Sequence, residues 1–277
     1  MEFSGGRKKR PAFSVGAVAK AIVHGTLDEA SKKRATLLVY DFKFLSHRLT
    51  RIKEANTYFE FQAKKGSTSL GPTVEQVAPY SKHVLMRTTE TVTTTIGGDG
   101  GIEAGSILTA NAGIHGERSV NKTVTHSAKV VGDNPADDWG NRCVAQWSLS
   151  ENDSQKSGIV SLFRACILLT RDNDEEFYLH PTIQVTPDTL TRLKAPLSGF
   201  RPRDDPIKMV PTTAPYNKLG GNVAISTSNL SAGLADLWDC TFHSSFENAI
   251  KASKPNVTAG GGVQQVTIVK EAKEALS

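Results

Sequence analysis

The longest regular pattern of apolar and polar positions in the chain runs from Val84 to Val131. After Ile102 the even positions are mostly apolar and the odd positions mostly polar, a period of two that is typical of a strand with one apolar and one wet face. The preceding segment, Val84–Ile96, is rich in β-branched residues, which favour strands. Gly97–Gly101 separates the two segments and can supply a turn. The pattern predicts one long β-hairpin.

The length of this hairpin indicates a special use. Ordinary strands have roughly 5–6 residues, whereas a membrane-spanning strand needs about 9–11 with one apolar and one polar face. A long edge ribbon of a soluble β-protein fits the pattern equally well. Arg118, Lys122 and His126 fall among the apolar positions, and a charge facing lipid costs about 2–4 kcal/mol. Either a bulge shifts the register there, or that part stays outside a bilayer. The residues expected to insert are Val92, Ile96, Ile102, Ala104, Leu108, Ala110, Ala112 and Ile114.

Shorter patterns predict the strands of the body. Leu37–Leu45 and Ile52–Gln62 alternate and are expected to pair with each other, and Asn141–Leu149 and Phe177–Val185 read as further strands. Ile159–Leu169 is apolar on both faces, which predicts a central strand.

Three segments predict helices. Pro11–Ala30 has apolar residues at helical spacing between basic clusters, Asp188–Ala195 resembles a short capped helix, and Asn229–Ser253 has an amphipathic pattern. The expected fold is α+β, with a twisted, mostly antiparallel sheet, long hairpins, a basic N-terminal helix and a C-terminal amphipathic helix. We expect one domain over residues 1–253 and a short tail over residues 254–277.

The net charge is concentrated at one end of the chain. The sequence has 33 basic and 28 acidic residues, and residues 1–34 alone have eight basic and three acidic residues, so their +5 equals the charge of the whole chain. Such a cluster attracts acidic lipid or nucleic acid, although a nuclear-localisation signal or a merely solvated tail has the same composition. We expect acidic lipid and no nucleic-acid partner. The predicted lipid-contacting residues are Arg7, Lys8, Lys9, Arg10, Lys20, Lys32, Lys33 and Arg34.

The residues that carry chemistry in enzymes form no recognisable site. Nucleophile-elbow, zinc-protease, P-loop and dinucleotide motifs are absent, the seven histidines are scattered, and the acidic runs lie in predicted turns. We therefore expect no enzyme, no cofactor and no metal site. Cys143, Cys166 and Cys240 are widely spaced and fit reduced thiols of a cytosolic protein. No run approaches the 18 apolar residues of a spanning helix.

Several short segments resemble one known family. The strand pair Thr36–Phe44 and Arg51–Ala55, and the later segments Asp138–Trp139, Ala145–Asn152 and Ser154–Ile159, are similar to fungal gasdermin-like cell-death proteins. The resemblance covers about residues 12–250. It implies a pore-forming domain that binds acidic lipid, self-assembles and extends β-hairpins into a membrane. It implies a cytoplasmic inactive form that acts at the plasma membrane in regulated cell death, including heterokaryon incompatibility.

The resemblance also raises the question of control. Family members are activated by a protease or by an incompatible partner protein, and the large inhibitory domain of the animal proteins has no counterpart after Ser253. We expect residues 254–277 to fold back over an assembly surface, with cleavage near Asp239–Lys254 releasing them. The latch residues are Phe242, Phe246 and Ile250. The alternative function is a soluble β-rich binding or structural protein, either capsid-like or lectin-like.

Overall fold

The structure is a computed structural model. It describes residues 2–4, 13–46, 50–96, 118–189, 205–220, 223–243 and 249–251. Within these ranges the chain forms two mostly antiparallel β-sheets. Their strands are β1 (Glu2–Ser4), β2 (Phe13–Thr26), β3 (Arg34–Ser46), β4 (Ile52–Ala63), β5 (Thr73–Ala78), β6 (Ser81–Ile96), β7 (Arg118–Asp133), β8 (Val144–Ser150), β9 (Leu162–Arg171), β10 (Phe177–Pro187), β11 (Ile207–Met209), β12 (Tyr216–Asn217), β13 (Asp239–His243) and β14 (Ala249–Lys251).

The strand order shows which predicted pairs were wrong. Sheet A has the order β1-β2-β3-β9-β13-β14, with β12 on β2 and β5 on β9, and sheet B has the order β11-β10-β4-β8-β7-β6. The strands predicted at Leu37–Leu45 and Ile52–Gln62 both exist, but they lie in different sheets as β3 and β4. The apolar residues of the two strands meet across the interior of the sandwich, and the two strands are not hydrogen-bonded to each other.

The two sheets pack face to face around aromatic side chains. Tyr40 of β3 lies edge-on to Phe59 of β4, with ring centroids 4.8 Å apart. Phe42 is 6.4 Å from Trp147, and Trp147 is 6.1 Å from Phe163. Aromatic pairs at such distances favour tilted arrangements over flat stacks. The sandwich core therefore has its centre at Trp147.

The predicted N-terminal helix is a strand. Residues 13–26 form β2 and pair with β3 along its length, with one register shift between Ala19 and Ala21. Phe13, Val15 and Val23 are buried, whereas Val18, which a helix would place on its apolar stripe, is 46% exposed. The long partner strand β3 supplies the pairing that overrides the helical spacing of the alanines.

The predicted C-terminal helix is reduced to one turn, α1 (Leu234–Leu237). It starts after Gly233, whose φ is 72°, and ends at Trp238, whose backbone is extended. Asp239–His243 forms β13, whose first three residues pair with β9, and β14 pairs with β13. The free edge of β9 takes up this segment as a strand. The helix predicted at Asp188–Ala195 falls mostly outside the described residues.

The remaining strand predictions are confirmed. β8, β9 and β10 lie where Asn141–Leu149, Ile159–Leu169 and Phe177–Val185 predicted them. β9 is buried on both faces from Ala165 onward and pairs with β3, β5 and β13, as expected of a central strand.

The sandwich has two distinct ends. At the first, Phe44 donates to the Ser161 carbonyl (2.8 Å) and Ile159 donates to the Ile52 carbonyl (3.1 Å). We call this the hairpin end, because β7 passes the last residue of β8, Ser150, on this side. At the other, the turn end, β2 turns into β3 and β9 turns into β10.

Candidate functional site

The hairpin of β6 and β7 extends beyond its own sheet. β7 pairs with β8 only from Lys129 to Asp133. In the described part of the chain, Arg87–Ile96 and Arg118–Ser127 pair only with each other. We call these two segments the free ribbon. At about 3.4 Å per residue each arm is roughly 34 Å long.

The register of the free ribbon corrects two expectations. Ile96 pairs with Arg118 and not with a residue just after Gly101, and residues 97–117 between them lie outside the described residues. The one register shift lies between Val84 and Met86, and Lys122 pairs with Val92 without a bulge nearby. A bulge therefore does not move the charged positions out of the apolar phase. Of the residues predicted to insert, Val92 and Ile96 lie on β6, and the others lie outside the described residues: Ile102, Ala104, Leu108, Ala110, Ala112 and Ile114.

The root of the hairpin is fixed in the core. Leu85, Met86, Ala128 and Val130 are buried. Gly132 is required here, because a Cβ atom would lie 1.9 Å from the Pro79 carbonyl oxygen and 2.8 Å from the Trp147 ring. Trp147 Nε1 donates to the same carbonyl at 3.1 Å. The close approach of β7 to Trp147 anchors the hairpin at its base.

A buried side-chain amide contacts the base of the free ribbon. Asn152 is fully buried, and its Nδ2 donates to Oγ1 of Thr88 on β6 at 3.0 Å. Its Oδ1 accepts from the backbone N–H of Ser154 at 3.1 Å and of Gln155 at 3.4 Å. Asn152 thus connects the β8–β9 loop to the ribbon where it leaves the body.

A buried ion pair supports this loop. The Glu151 carboxylate lies 3.1 Å from Arg51 Nε and accepts from the Gly158 backbone N–H at 3.1 Å. The Glu151 backbone N–H donates to the Lys53 carbonyl at 2.9 Å. Because a buried carboxylate left without its partner is costly, this network holds the β8–β9 loop rigid. Sequence reasoning described it only as a polar loop, and a single sequence has no signal that separates a buried Glu-Asn pair from a solvated one.

The structure describes four of the predicted lipid-contacting residues, Lys20, Lys32, Lys33 and Arg34. Lys20 lies within β2, with its Nζ 3.7 Å from Asp41. Arg164 donates to both oxygens of Asp41, at 2.6 and 3.0 Å, and this bonding raises the pKa of the guanidinium. Arg7, Lys8, Lys9 and Arg10 lie outside the described residues. Lys20 is therefore part of an ion-pair network on a sheet face.

The other three basic residues lie at the turn end. Lys32 is exposed in the β2–β3 turn, Lys33 is 3.9 Å from Glu75, and Arg34 donates to Asp174 at 2.9 Å. Hydrogen bonds from Arg171 and then from Arg34 hold the pKa of the Asp174 carboxyl below its usual value. Much of this charge is therefore already neutralised, at the end opposite to the free ribbon.

The predicted latch residues belong to a hairpin. Phe242 of β13 and Ile250 of β14 are directly paired across the strands, and Phe246 lies outside the described residues. The predicted cleavage region Asp239–Lys254 includes β13, which pairs with β9. A cut within β13 would remove part of sheet A, and residues 252–254, the end of the predicted cleavage region, lie outside the described residues.

The described residues hold neither a metal centre nor a membrane-spanning helix. Within the described ranges no cluster of His, Cys, Asp and Glu side chains is arranged to hold a metal ion. The same ranges contain no helix with the length and apolar content that membrane spanning requires. All three cysteines are free thiols, and burial raises the pKa of Cys240 to about 12.

Comparisons with known proteins return distant structural likenesses. No protein-family model and no curated protein matches the chain. The chain is similar to Clostridium perfringens delta-toxin, with 12% identity, 75% of this chain and 86% of that chain covered, and a TM-score of 0.28. It is similar to the Clostridium perfringens NetB toxin in the membrane inserted form, with 10% identity, coverage of 62% and 85%, and a TM-score of 0.26. Values of this size do not establish a shared function.

Proposed function

We propose that the protein is a latent pore-former that binds a membrane, self-assembles and permeabilises the membrane with its β6–β7 hairpin. The free ribbon is the observation that carries this proposal. Over arms of about 34 Å, its two strands pair with each other and with no other described strand. Such an extension adds no partner strand to a soluble sheet, whereas a β-barrel pore is built from hairpins that extend from the body.

Assembly follows from the edges of the free ribbon. In the described part of the chain, β6 has a neighbouring strand on one side only. β7 has a second neighbour, β8, only over Lys129–Asp133. Unpaired strand edges favour pairing with another copy. A bilayer tolerates strands only when they close into a barrel, because unpaired backbone groups are costly in lipid. The β6 edge of one copy and the β7 edge of the next would close such a barrel.

The charges indicate which part of the hairpin crosses. Arg118 and Lys122 would each cost about 2–4 kcal/mol facing lipid at mid-depth. With no bulge to reorient them, the free ribbon serves as a stalk outside the bilayer. Residues 97–117 then cross it, since they suffice for two strands of about 9 residues with a short turn. This segment contains six of the predicted inserting residues, from Ile102 to Ile114.

The biological setting is part of the proposal and rests on the resemblance to fungal gasdermin-like proteins. It comprises binding to acidic phospholipid, a cytoplasmic inactive form, action at the plasma membrane and a role in regulated cell death. Either a protease or an incompatible partner protein would be the trigger. The structure lacks the two long helices that the resemblance implies within its described residues, so the proposal keeps the activity and not that fold. The alternative is a soluble β-rich binding or structural protein.

The decisive experiment shortens the hairpin without touching the body. Because Ile96 and Arg118 are paired, residues 97–117 can be replaced by Asn-Gly, which closes a two-residue hairpin. Protein ending at residue 253 and full-length protein, each with and without the replacement, are added to dye-filled liposomes containing phosphatidylserine. We expect the short hairpin to abolish leakage while liposome binding and thermal stability are kept.

A charge control separates insertion from a general charge effect. Leu108→Asp with Ala110→Asp should also abolish leakage, whereas Val18→Asp, on an exposed position of β2, should not. Leakage that persists with the short hairpin would exclude insertion of residues 97–117. A protein that never causes leakage in any form would favour the soluble binding alternative.

A further inference from the structure

The largest exposed apolar side chain lies at the turn end, away from the free ribbon. Trp139 is 89% exposed, whereas Trp147 and Trp238 are buried. Exposing a whole indole ring to water is unfavourable, and tryptophan is over-represented where a surface binds a partner. Trp139 has no role in the membrane insertion proposed for the β6–β7 hairpin.

The loop that carries Trp139 is held in one conformation. The Asp137 carboxylate accepts from the backbone N–H groups of Trp139 (2.9 Å) and Asn141 (2.7 Å) and from Asn141 Nδ2 (3.1 Å). Gly140, with φ +83°, donates to the Asp137 carbonyl. At the loop's start, buried Asn134 donates to the Val74 carbonyl at 3.0 Å. The loop backbone is therefore held in place before binding, which reduces the entropy that ordering the loop would cost.

A second apolar side chain lies on the neighbouring loop. Leu70, 86% exposed, belongs to the β4–β5 loop. The ends of the two loops are joined by hydrogen bonds from Val74 N–H to the Arg142 carbonyl (2.6 Å) and from Phe61 N–H to the Cys143 carbonyl (2.8 Å). Exposed polar groups flank the indole in the chain: the Asp138 carboxylate, the Asn141 amide and the Arg142 guanidinium.

The number of apolar side chains and the charges on this surface indicate which class of ligand fits it. Two separated apolar side chains are too few for a stable protein interface, which needs about 800 Å² per partner. Three lysines of this end are already paired, Lys64 and Lys208 with Glu176 and Lys33 with Glu75, which reduces its attraction for an anionic membrane. If the hairpin inserts, as proposed above, the turn end also faces away from the bilayer. A flat aromatic ring beside a carboxylate, an amide and a guanidinium matches a sugar ring, whose C–H face is apolar and whose rim carries hydroxyl groups.

We propose that Trp139 and its neighbours bind carbohydrate, with the indole stacked on a pyranose ring. In this arrangement Asp138, Asn141 and Arg142 take the sugar hydroxyls, and Leu70 extends the apolar contact. The binding itself does not depend on pore formation.

The test uses the full-length protein without lipid. Acrylamide quenching of tryptophan fluorescence reports mainly Trp139, because the other two tryptophans are buried. The probes are chitohexaose, laminarihexaose and a galactose-terminated N-glycan. At least one should protect Trp139 saturably, with a Kd of about 1 mM or tighter.

Calorimetry on variants then assigns the site. With the glycan that protects, Trp139→Ala should lower affinity about tenfold or more, and Trp139→Phe should lower it less. Tyr216→Ala, which removes an exposed aromatic ring from β12, should leave it unchanged. The Trp139→Ala variant should keep its circular dichroism spectrum and its activity on glycan-free liposomes, so failure of glycan binding and failure of the pore proposal are distinguishable.

Three results would overturn the inference. The first is that no probe protects Trp139. The second is that phosphatidylcholine liposomes protect it and glycans do not, which would make this surface a lipid anchor. The third is self-association of the wild type that Trp139→Ala abolishes, which would make the partner a second copy of the chain.

Discussion

His24 should make the folded state sensitive to mild acid. Its Nδ1 lies 2.9 Å from the Thr36 hydroxyl, and its Nε2 is buried with no hydrogen-bond partner in the described structure. Burial first, and then the nearby Arg171 cation, lower the pKa of His24 from 6.5 to about 4, with Asp174 opposing the shift. The folded state therefore holds the neutral imidazole. A protonated ring would place a second cation beside Arg171.

The sign and size of the effect follow from this shift. Above pH 6.5 the ring is neutral in both states, and there is no penalty. As the pH falls from 6.5 to about 4 the unfolded chain takes up a proton that the folded chain refuses, so the free energy of unfolding decreases. The full shift corresponds to about 3.4 kcal/mol. Since the ring is only partly buried, solvent screening reduces the expected loss to about 2 kcal/mol.

The measurement is urea unfolding at several pH values. His24→Gln removes the titration and keeps a polar side chain near Thr36, and His180→Gln on β10 controls for the loss of a histidine elsewhere. Between pH 7 and pH 4.5 the wild type and the His180→Gln variant should lose about 2 kcal/mol more than the His24→Gln variant. A stability difference between wild type and His24→Gln that stays constant over this range would refute the reasoning.

Two further predictions concern the hairpin and the basic residues. Asn152→Ala removes the bond to Thr88 and should destabilise the β8–β9 loop by about 1–3 kcal/mol. Faster hydrogen exchange at Thr88 and Thr89 than in a Ser148→Ala control would show it, and unchanged exchange would exclude Asn152 as an anchor. Replacing Arg7, Lys8, Lys9 and Arg10 by Gln should weaken sedimentation with phosphatidylserine liposomes by at most about 4 kcal/mol. The same change at Lys32, Lys33 and Arg34 should have little effect, and the opposite ranking would contradict the assigned ends.

The strands of the body were predictable because their burial alternates. β4 has Ala55, Thr57, Phe59 and Phe61 buried at every second position, and the period of two reads this directly. The assignment of β3 and β4 to different sheets was not predictable, since an apolar face shows that a strand has a partner layer and not which layer it is. The register of the hairpin was also hidden, because the four glycines of residues 97–101 suggested a turn there, and no sequence pattern indicated that Ile96 pairs with Arg118.

The two wrong helices have a common physical cause. In both segments the apolar residues fit helical spacing, and alanines such as Ala17, Ala19 and Ala21 favour a helix on their own, so pairing with a neighbouring strand must override the local preference. The deciding partners are β3 for the first segment and the edge of β9 for the second. β9 is distant in sequence from the second segment, and β3, although it follows β2 after a short turn, lies outside the segment whose spacing predicted a helix, so local spacing could not reveal either pairing. Trp139 was also out of reach, because exposure of a single tryptophan has no sequence pattern.

The error in the first segment changes the geometry of the charges as well as the secondary structure. A 14-residue helix is about 20 Å long, whereas the 14 residues of β2 extend about 45 Å. The helix would have kept the basic clusters on either side of it close enough to contact one membrane together. The strand separates them: Phe13, which follows the first cluster, pairs with Ser46 at the hairpin end, while Arg34 of the second pairs with Thr26 at the turn end. If the hairpin inserts into a bilayer, only the cluster at residues 7–10 is near the inserting end. The cluster at residues 32–34 lies at the opposite end, together with its ion pairs and Trp139.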